Sequence, residues 1–217
     1  MIDRRVSAAA RVREAMARLP PGVFLAKQAL ANPDEACACP PSQTLSATCV
    51  ELALSALELT GSERVLEIGS ISGYETVLLS QLAADVVSLV GDPASAAARS
   101  RVLTALGCRN VRTYVREGGA GWPREAPYQA IFIGGAALSI PSALLDQLEL
   151  GGHLVIPLGD ASGQVLHAVH RRADGITARA LGPTRLPLLP WAKRRPSFYP
   201  WNNEGTLPQS QGSCRLS

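Results

Sequence analysis

The segment VLEIGSISGY, residues 65–74, combines a short apolar run, one carboxylate and two spaced glycines. The apolar run predicts a buried strand, while Gly69 and Gly73 permit a tight turn and a close approach of the backbone to a ligand. A helix that starts after such a turn presents free N–H groups and its positive dipole end. Because Glu67 lies near the end of the strand, where open α/β sheets bind ligands, the segment indicates a cofactor site. A compact strand-to-helix turn without a ligand is the alternative.

Composition favours a single globular domain. The chain has 217 residues, is 47% hydrophobic and carries a formal charge of +3. Its basic residues are dispersed apart from residues 193–195, which lie among aromatics and prolines and are interpreted as a tail, so we expect no nucleic-acid partner. No apolar run is long enough for a membrane span, and no export signal precedes the domain, so we expect a cytoplasmic protein. Cys37 and Cys39 are interpreted as loop thiols, with no metal site expected.

Periodicity divides the chain into helices and strands. Residues 4–19 predict an amphipathic helix that Pro20 and Pro21 stop, and residues 32–42 predict a loop. Ser46 has the type and position of an N-cap for a helix that continues to residue 60. Further strands are predicted at 86–90, 111–115, 130–133 and 153–157, with helices at 76–83, 93–107 and 141–148. This alternation predicts a doubly wound, largely parallel sheet, and residues 164–181 predict a closing β-hairpin.

Five segments in this order resemble the protein L-isoaspartate O-methyltransferases: PPSQTLSA, VLEIGSISGYET, REGGAGWPREAPYQAIFIGGAA, IP and QLELGGHLVIPLG. The resemblance extends over about residues 12–189. It implies an α/β fold of the class I methyltransferase, Rossmann-like type. The expected architecture is a doubly wound, mostly parallel seven-stranded sheet with N-terminal helices and a C-terminal β-hairpin. Residues 1–190 would form this domain, with residues 1–45 as its helical and substrate-loop part, and residues 191–217 would form a flexible tail.

The resemblance also implies an activity. Enzymes of this family use S-adenosyl-L-methionine, release S-adenosyl-L-homocysteine and esterify the α-carboxylate of L-isoaspartyl residues in damaged peptides and proteins. We therefore expect a monomeric protein-repair enzyme whose partners are isoaspartyl peptides, with neither nucleic acid nor membrane involved.

The family's motifs can be carried onto numbered positions. The substrate segment falls on Gln43, Thr44, Leu45 and Ser46, which places Ser46 at the family's active-site serine. The cofactor turn falls on residues 67–74, and the family's acidic motif falls on residues 116–118. The implied cofactor-binding residues are Glu67, Gly69, Ser70, Ile71, Ser72, Gly73, Asp92, Glu117 and Gly118. From the residues alone, Ser46 could equally serve only as a helix cap.

Several positions depart from the family pattern. Ile71 replaces a glycine of the turn, where its branched side chain is expected to crowd the cofactor. Val90 replaces the glutamate that holds the ribose hydroxyls, so Asp92 is the nearest substitute. Gly134 and Gly135 replace a threonine and an alanine. These departures leave two alternatives open: a catalytically impaired peptide-binding module with the pocket filled by Ile71, or a methyltransferase dedicated to one biosynthetic peptide.

Overall fold

A seven-stranded sheet forms the centre of the computed structural model, which describes residues 7–31 and 44–193. The strand order is β3-β2-β1-β4-β5-β6-β7. Neighbours from β3 to β5 pair in parallel, whereas β6 pairs antiparallel with both β5 and β7. The strands are β1 Arg64–Ile68, β2 Asp85–Val90, β3 Val111–Val115, β4 Tyr128–Ile133, β5 Leu148–Asp160, β6 Gly163–Arg172 and β7 Gly175–Thr184.

Helices cover both faces of this sheet. They are α1 Ala8–Arg18, α2 Pro21–Ala31, α3 Ala47–Ser55, α4 Tyr74–Leu82, α5 Pro93–Ala105 and α6 Ser142–Gln147. Side chains cap several of them, since Ser7, Ser46 and Asp92 each accept a hydrogen bond from an N–H group of the first turn.

The burial pattern explains why the helices form two layers, one on each face of the sheet. Apart from Glu67, the buried residues of β1 are apolar on both faces, and β4 likewise buries apolar residues on both faces, as is typical of parallel strands between helix layers. Val65 and Phe132 pack into a cluster with α1, α3, α4 and α5. Leu66 and Ile131 point to the opposite face, where they pack with α6 and with Trp191. The alternation along β1 therefore directs Glu67 toward the face that carries α4 and α5.

The predicted fold class is confirmed, including the N-terminal helices and the C-terminal hairpin β6–β7. One helix was not predicted. Pro20 and Pro21 were expected only to end the first helix, but α2 begins at Pro21, because proline is well suited to the first turn of a helix. The predicted loop at 32–42, with Cys37 and Cys39, lies outside the described residues. None of the helices in the described ranges combines the length and the apolar character of a membrane-spanning segment.

Candidate cofactor site

The glycine turn lies at the point where the chain reverses its direction across the sheet. The chain runs from β1 outward to β2 and β3, and then returns to β4 on the other side of β1. In open α/β sheets, the crevice at this switch point, beyond the carboxyl ends of the strands, holds the ligand. Residues 69–73 follow β1 and residues 134–135 follow β4 at this position. The amide of Gly134 donates to the carbonyl oxygen of Ile68 at 2.8 Å, which continues the pairing of the two strands.

The turn has the backbone conformation that its glycines predicted. Gly69 and Gly73 have φ angles of +74° and +80°, in the region that favours glycine. Gly73 stands immediately before α4, so the turn leads directly into the N-terminus of that helix. The side chain of Gln28 on α2 donates to the carbonyl oxygen of Ser72 at 3.0 Å. The N-terminal helices therefore help to hold the turn.

Glu67 anchors the base of the turn through a buried polar network. Its carboxylate has no solvent exposure and accepts a hydrogen bond from the Ser70 amide at 2.8 Å. The hydroxyl of Ser88 on β2 also donates to it, at 2.5 Å. Arg99 on α5 forms a salt bridge with the same carboxylate, with Nη1 2.8 Å from Oε2.

Arg99 connects this carboxylate to the turn itself. Its side chain is only 6% exposed, and its second terminal nitrogen donates to the carbonyl oxygen of Ser70. The remaining hydrogen bonds of Nη1 are to the hydroxyls of Thr76 and Ser88, at 3.1 and 2.8 Å. One guanidinium group therefore cross-links β1, β2, α4 and the turn. Because both charges are removed from water, this geometry is needed to offset their desolvation.

Arg99 was not identified from the sequence. A signal was present, because Arg99 precedes the buried Val102 and Leu103 of α5 by three and four residues. That spacing places it on the buried face of the helix. An arginine on the buried face requires a partner, and Glu67 at the end of the neighbouring strand is the carboxylate that it meets.

A second carboxylate of the site, Glu75, is buried in the first turn of α4. Burial raises the pKa of Glu75, and the nearby Glu67 carboxylate raises it further, while a hydrogen bond from the Ser70 hydroxyl and the charge of Arg99 oppose these effects. The Ser70 hydroxyl lies 2.5 Å from Glu75 and also accepts the Gly73 amide. The protonation state of Glu75 is therefore coupled to the shape of the turn.

The positions expected near the adenosine part of the cofactor differ in their surroundings. Val90 is buried at the end of β2. Asp92 is exposed and caps α5, because its two carboxylate oxygens accept the amide and the hydroxyl of Ser95 at 2.9 and 2.7 Å. These hydrogen bonds lower the pKa of Asp92. Gly118 is buried so closely against β1 that a Cβ there would lie 2.0 Å from the Ile68 side chain, whereas Glu117 is exposed.

The described part of the expected substrate segment consists of Thr44, Leu45 and Ser46, while Gln43 lies outside the described residues. Ser46 is exposed, and its hydroxyl accepts the Cys49 amide at 3.2 Å as the N-cap of α3. Leu45 is buried in the same apolar cluster as Ala136. Because Ala136 follows Gly135 beyond the end of β4, the segment and the switch point border the same apolar cluster.

Ile71 does not fill the crevice, as the peptide-binding alternative would require. Its side chain is 42% exposed at the tip of the turn. The side chain that packs against Gly69 belongs to Leu189, whose Cδ2 atom would lie 2.6 Å from a Cβ built on Gly69. The space over Gly69 is therefore filled by a residue about 120 positions further along the chain, beyond the reach of local sequence patterns.

A doubly wound sheet with a glycine turn at its switch point places the protein among the Rossmann-like folds, to which the class I methyltransferases belong. The site also fits a nucleoside cofactor in one testable respect. Gly69 and Gly135 face one space, and a Cβ on either would lie 2.6 Å from Leu189. We call this space over Gly69 and Gly135 the cradle. It can hold a slender aliphatic group only because neither residue has a Cβ atom.

Comparison with known proteins identifies the family. The family model "Protein-L-isoaspartate(D-aspartate) O-methyltransferase (PCMT)" matches residues 1–185, so the chain belongs to this family. A relative from Syntrophobacter fumaroxidans, a protein-L-isoaspartate O-methyltransferase 1, is 39% identical over 178 residues, covering 81% of this chain and 83% of the relative. A protein-L-isoaspartate O-methyltransferase from Anaeromyxobacter dehalogenans strain 2CP-1 is 50% identical over 123 residues. That match covers 56% of this chain and 59% of the relative.

Solved structures agree with this assignment. A protein-L-isoaspartate O-methyltransferase structure superimposes with a TM-score of 0.60 at 25% identity, covering 64% of this chain and 45% of that chain. A Plasmodium falciparum structure, described as a protein of the same kind in complex with S-adenosyl-L-homocysteine, gives a TM-score of 0.57 at 17% identity. It covers 85% of this chain and 98% of that chain, and at this identity it supports the fold. The expected family and fold class are both confirmed.

Proposed function

We propose that this protein is an S-adenosyl-L-methionine-dependent carboxyl methyltransferase that esterifies the α-carboxylate of L-isoaspartyl residues in damaged peptides and proteins. The observation that carries the proposal is the glycine turn at the switch point, braced by Glu67 and Arg99, in a chain that matches the family over residues 1–185. We further propose that it acts as a monomer in the cytoplasm, and that residues 191–217 form a C-terminal tail whose first two residues, Trp191 and Ala192, pack into the domain.

The proposed chemistry makes modest demands on the chain. When bound, the cofactor supplies a methyl group activated by a positively charged sulfur. The accepting carboxylate is already ionised at neutral pH, so the protein must align the reactants and exclude water rather than move a proton. Gly69 and Gly73, together with Ser70, Ile71 and Ser72 between them, would hold the cofactor through the backbone of the turn. Glu67 and Arg99 keep that backbone fixed, because they bind the amide and the carbonyl of Ser70.

The nucleoside end of the cofactor would lie beyond β2 and β3. Gly118, which packs against Ile68 of β1, would line that end through its backbone, and Glu117 and Asp92 are the carboxylates that we propose as hydrogen-bond acceptors for it. Asp92 would have to share its oxygens with the Ser95 cap. This shared use predicts weaker ribose binding than a dedicated carboxylate would give.

Ser46 and its neighbours Gln43, Thr44 and Leu45 are proposed to bind the peptide. A hydroxyl can donate to a carboxylate while it accepts an amide, so capping α3 leaves the Ser46 proton available for the substrate. The cap also fixes the position of that hydroxyl at the start of the helix.

Transfer of a labelled methyl group tests the proposed activity. Purified protein would be incubated with methyl-labelled S-adenosylmethionine and with two peptides that differ only in an isoaspartyl or a normal aspartyl linkage. We expect base-labile label in the isoaspartyl peptide alone. Label in neither peptide, with cofactor binding intact, would refute the activity. Binding of the isoaspartyl peptide without any transfer would instead support a peptide-binding module.

A further inference from the structure

The segment that follows β7 returns to the carboxyl end of β4, beside the glycine turn, instead of leaving the domain. We call residues 186–192 the C-terminal strap. The Ala136 amide donates to the Pro187 carbonyl, and the Leu189 amide donates to the Ala136 carbonyl, each at 2.9 Å. Residues 136 and 188 form a parallel bridge. The strap is therefore hydrogen-bonded to the chain immediately beyond the carboxyl end of β4.

Leu189 is the residue of the strap that enters the cradle at the switch point. A Cβ on Gly135 would lie 2.6 Å from both Cγ and Cδ2 of Leu189, and a Cβ on Gly69 would lie 2.6 Å from Cδ2. Gly135 belongs to the pair of glycines that depart from the family pattern. The other, Gly134, lets the turn approach β4, since a Cβ there would lie 2.7 Å from the Ser70 Cα. Gly134 therefore lets the turn lie close to β4, which narrows the crevice. Gly135 leaves the space that Leu189 occupies.

Trp191 anchors the far side of the strap. It is only 6% exposed and packs against Gly119, where a Cβ would lie 3.2 Å from three atoms of the tryptophan side chain. The indole nitrogen of Trp191 is buried without a hydrogen-bond partner among the described residues. Because an unsatisfied buried N–H group is unfavourable, the seated strap carries a cost that is relieved when it opens.

We propose that the C-terminal strap is an autoinhibitory element of the cofactor site. This inference rests on the proposed function. Leu189 and a bound nucleoside cofactor require the same space over Gly69 and Gly135, so the cofactor binds the conformer in which the strap is displaced. The observed dissociation constant is then the intrinsic constant divided by the fraction of molecules with an open strap.

Titration of S-adenosylhomocysteine into the full-length protein by calorimetry tests this competition. Leu189→Ala removes most of the side chain from the cradle but leaves the strap backbone intact, and it should lower the dissociation constant about tenfold. Trp191→Ala should act in the same direction through the other anchor. Leu150→Ala is the matched control, because Leu150 is 63% exposed at the start of β5, and it should bind like the unmodified protein. Circular dichroism verifies that each variant is folded.

Hydrogen exchange on the unmodified protein gives an independent readout of strap movement. Saturating S-adenosylhomocysteine should accelerate exchange of the Leu189 and Ala136 amides while central amides of β5 remain protected. Equal affinities for the unmodified protein and Leu189→Ala, or slower exchange of the strap amides with ligand, would refute the autoinhibitory role of the strap. Neither result would contradict the proposed function. Binding by none of the proteins would overturn the proposed function and the strap with it.

Discussion

The buried Arg99–Glu67 pair makes the sharpest prediction about stability. Arg99→Met keeps much of the aliphatic volume but removes the guanidinium group, which leaves the unexposed Glu67 carboxylate without its charge partner. It also removes the donor to the Ser70 carbonyl. Breaking a buried ion pair from one side typically costs about 3 to 5 kcal/mol. We expect a loss of unfolding free energy in that range, measured by urea denaturation.

The matched control is an exposed pair of the same chemistry. Arg18 and Glu14 form a salt bridge at 2.5 Å on α1, with side chains 70% and 59% exposed. Arg18→Met should cost less than about 1 kcal/mol, because solvent screens that pair. The double variant Glu67→Gln with Arg99→Met should recover part of the loss, since no buried charge then lacks a partner. Similar losses for Arg99→Met and Arg18→Met would refute the role given to the buried network.

Variants at three further positions test individual groups of the site. Because the pKa of Glu75 is raised above its ordinary value of 4.5, its stabilising effect is complete below pH 4.5 and is lost as the pH rises through the raised pKa, so Glu75→Gln should remove this decline from the unfolding profile. An unchanged profile would contradict the assignment. Asp92→Ala should cost about 1 kcal/mol in urea denaturation through loss of the α5 cap, and Asp92→Asn, which can still cap, should cost clearly less. Ser46→Ala should lower kcat more than cofactor affinity in the methyl-transfer assay. Ser46→Asn restores the cap without the hydroxyl, so recovery of kcat in that variant would reduce Ser46 to a structural residue.

Much of the fold was predictable because it depends on local patterns. The buried strand at 65–68, the glycines of the turn and the alternation of strands and helices each follow from residue types at short spacing. The hairpin near Asp174 was predictable for the same reason, since β6 and β7 are joined by a short turn. The helix at Pro21 was missed because proline both ends one helix and begins another.

The structure of the crevice was less predictable because it depends on contacts between distant segments. Arg99 reaches Glu67 across 32 residues. Leu189 contacts Gly69 only because the strap follows β7 back to the end of β4. Sequence reasoning identified Ile71 as the crowding residue, since it considered the turn alone. Gly134 and Gly135 were the available sequence signal for an unusual crevice. Their structural role could be recognised only once the position of Leu189 was known.

The central claim is that the turn between β1 and α4 binds S-adenosylmethionine or its product. Calorimetric titration of S-adenosylhomocysteine into the full-length protein tests it most directly, with Gly69→Val as the comparison, because a Cβ at that φ angle is strained. We predict saturable one-to-one heat for the unmodified protein and its loss in Gly69→Val. The account is contradicted if neither the unmodified protein nor Leu189→Ala gives saturable heat, or if Gly69→Val binds as tightly as the unmodified protein.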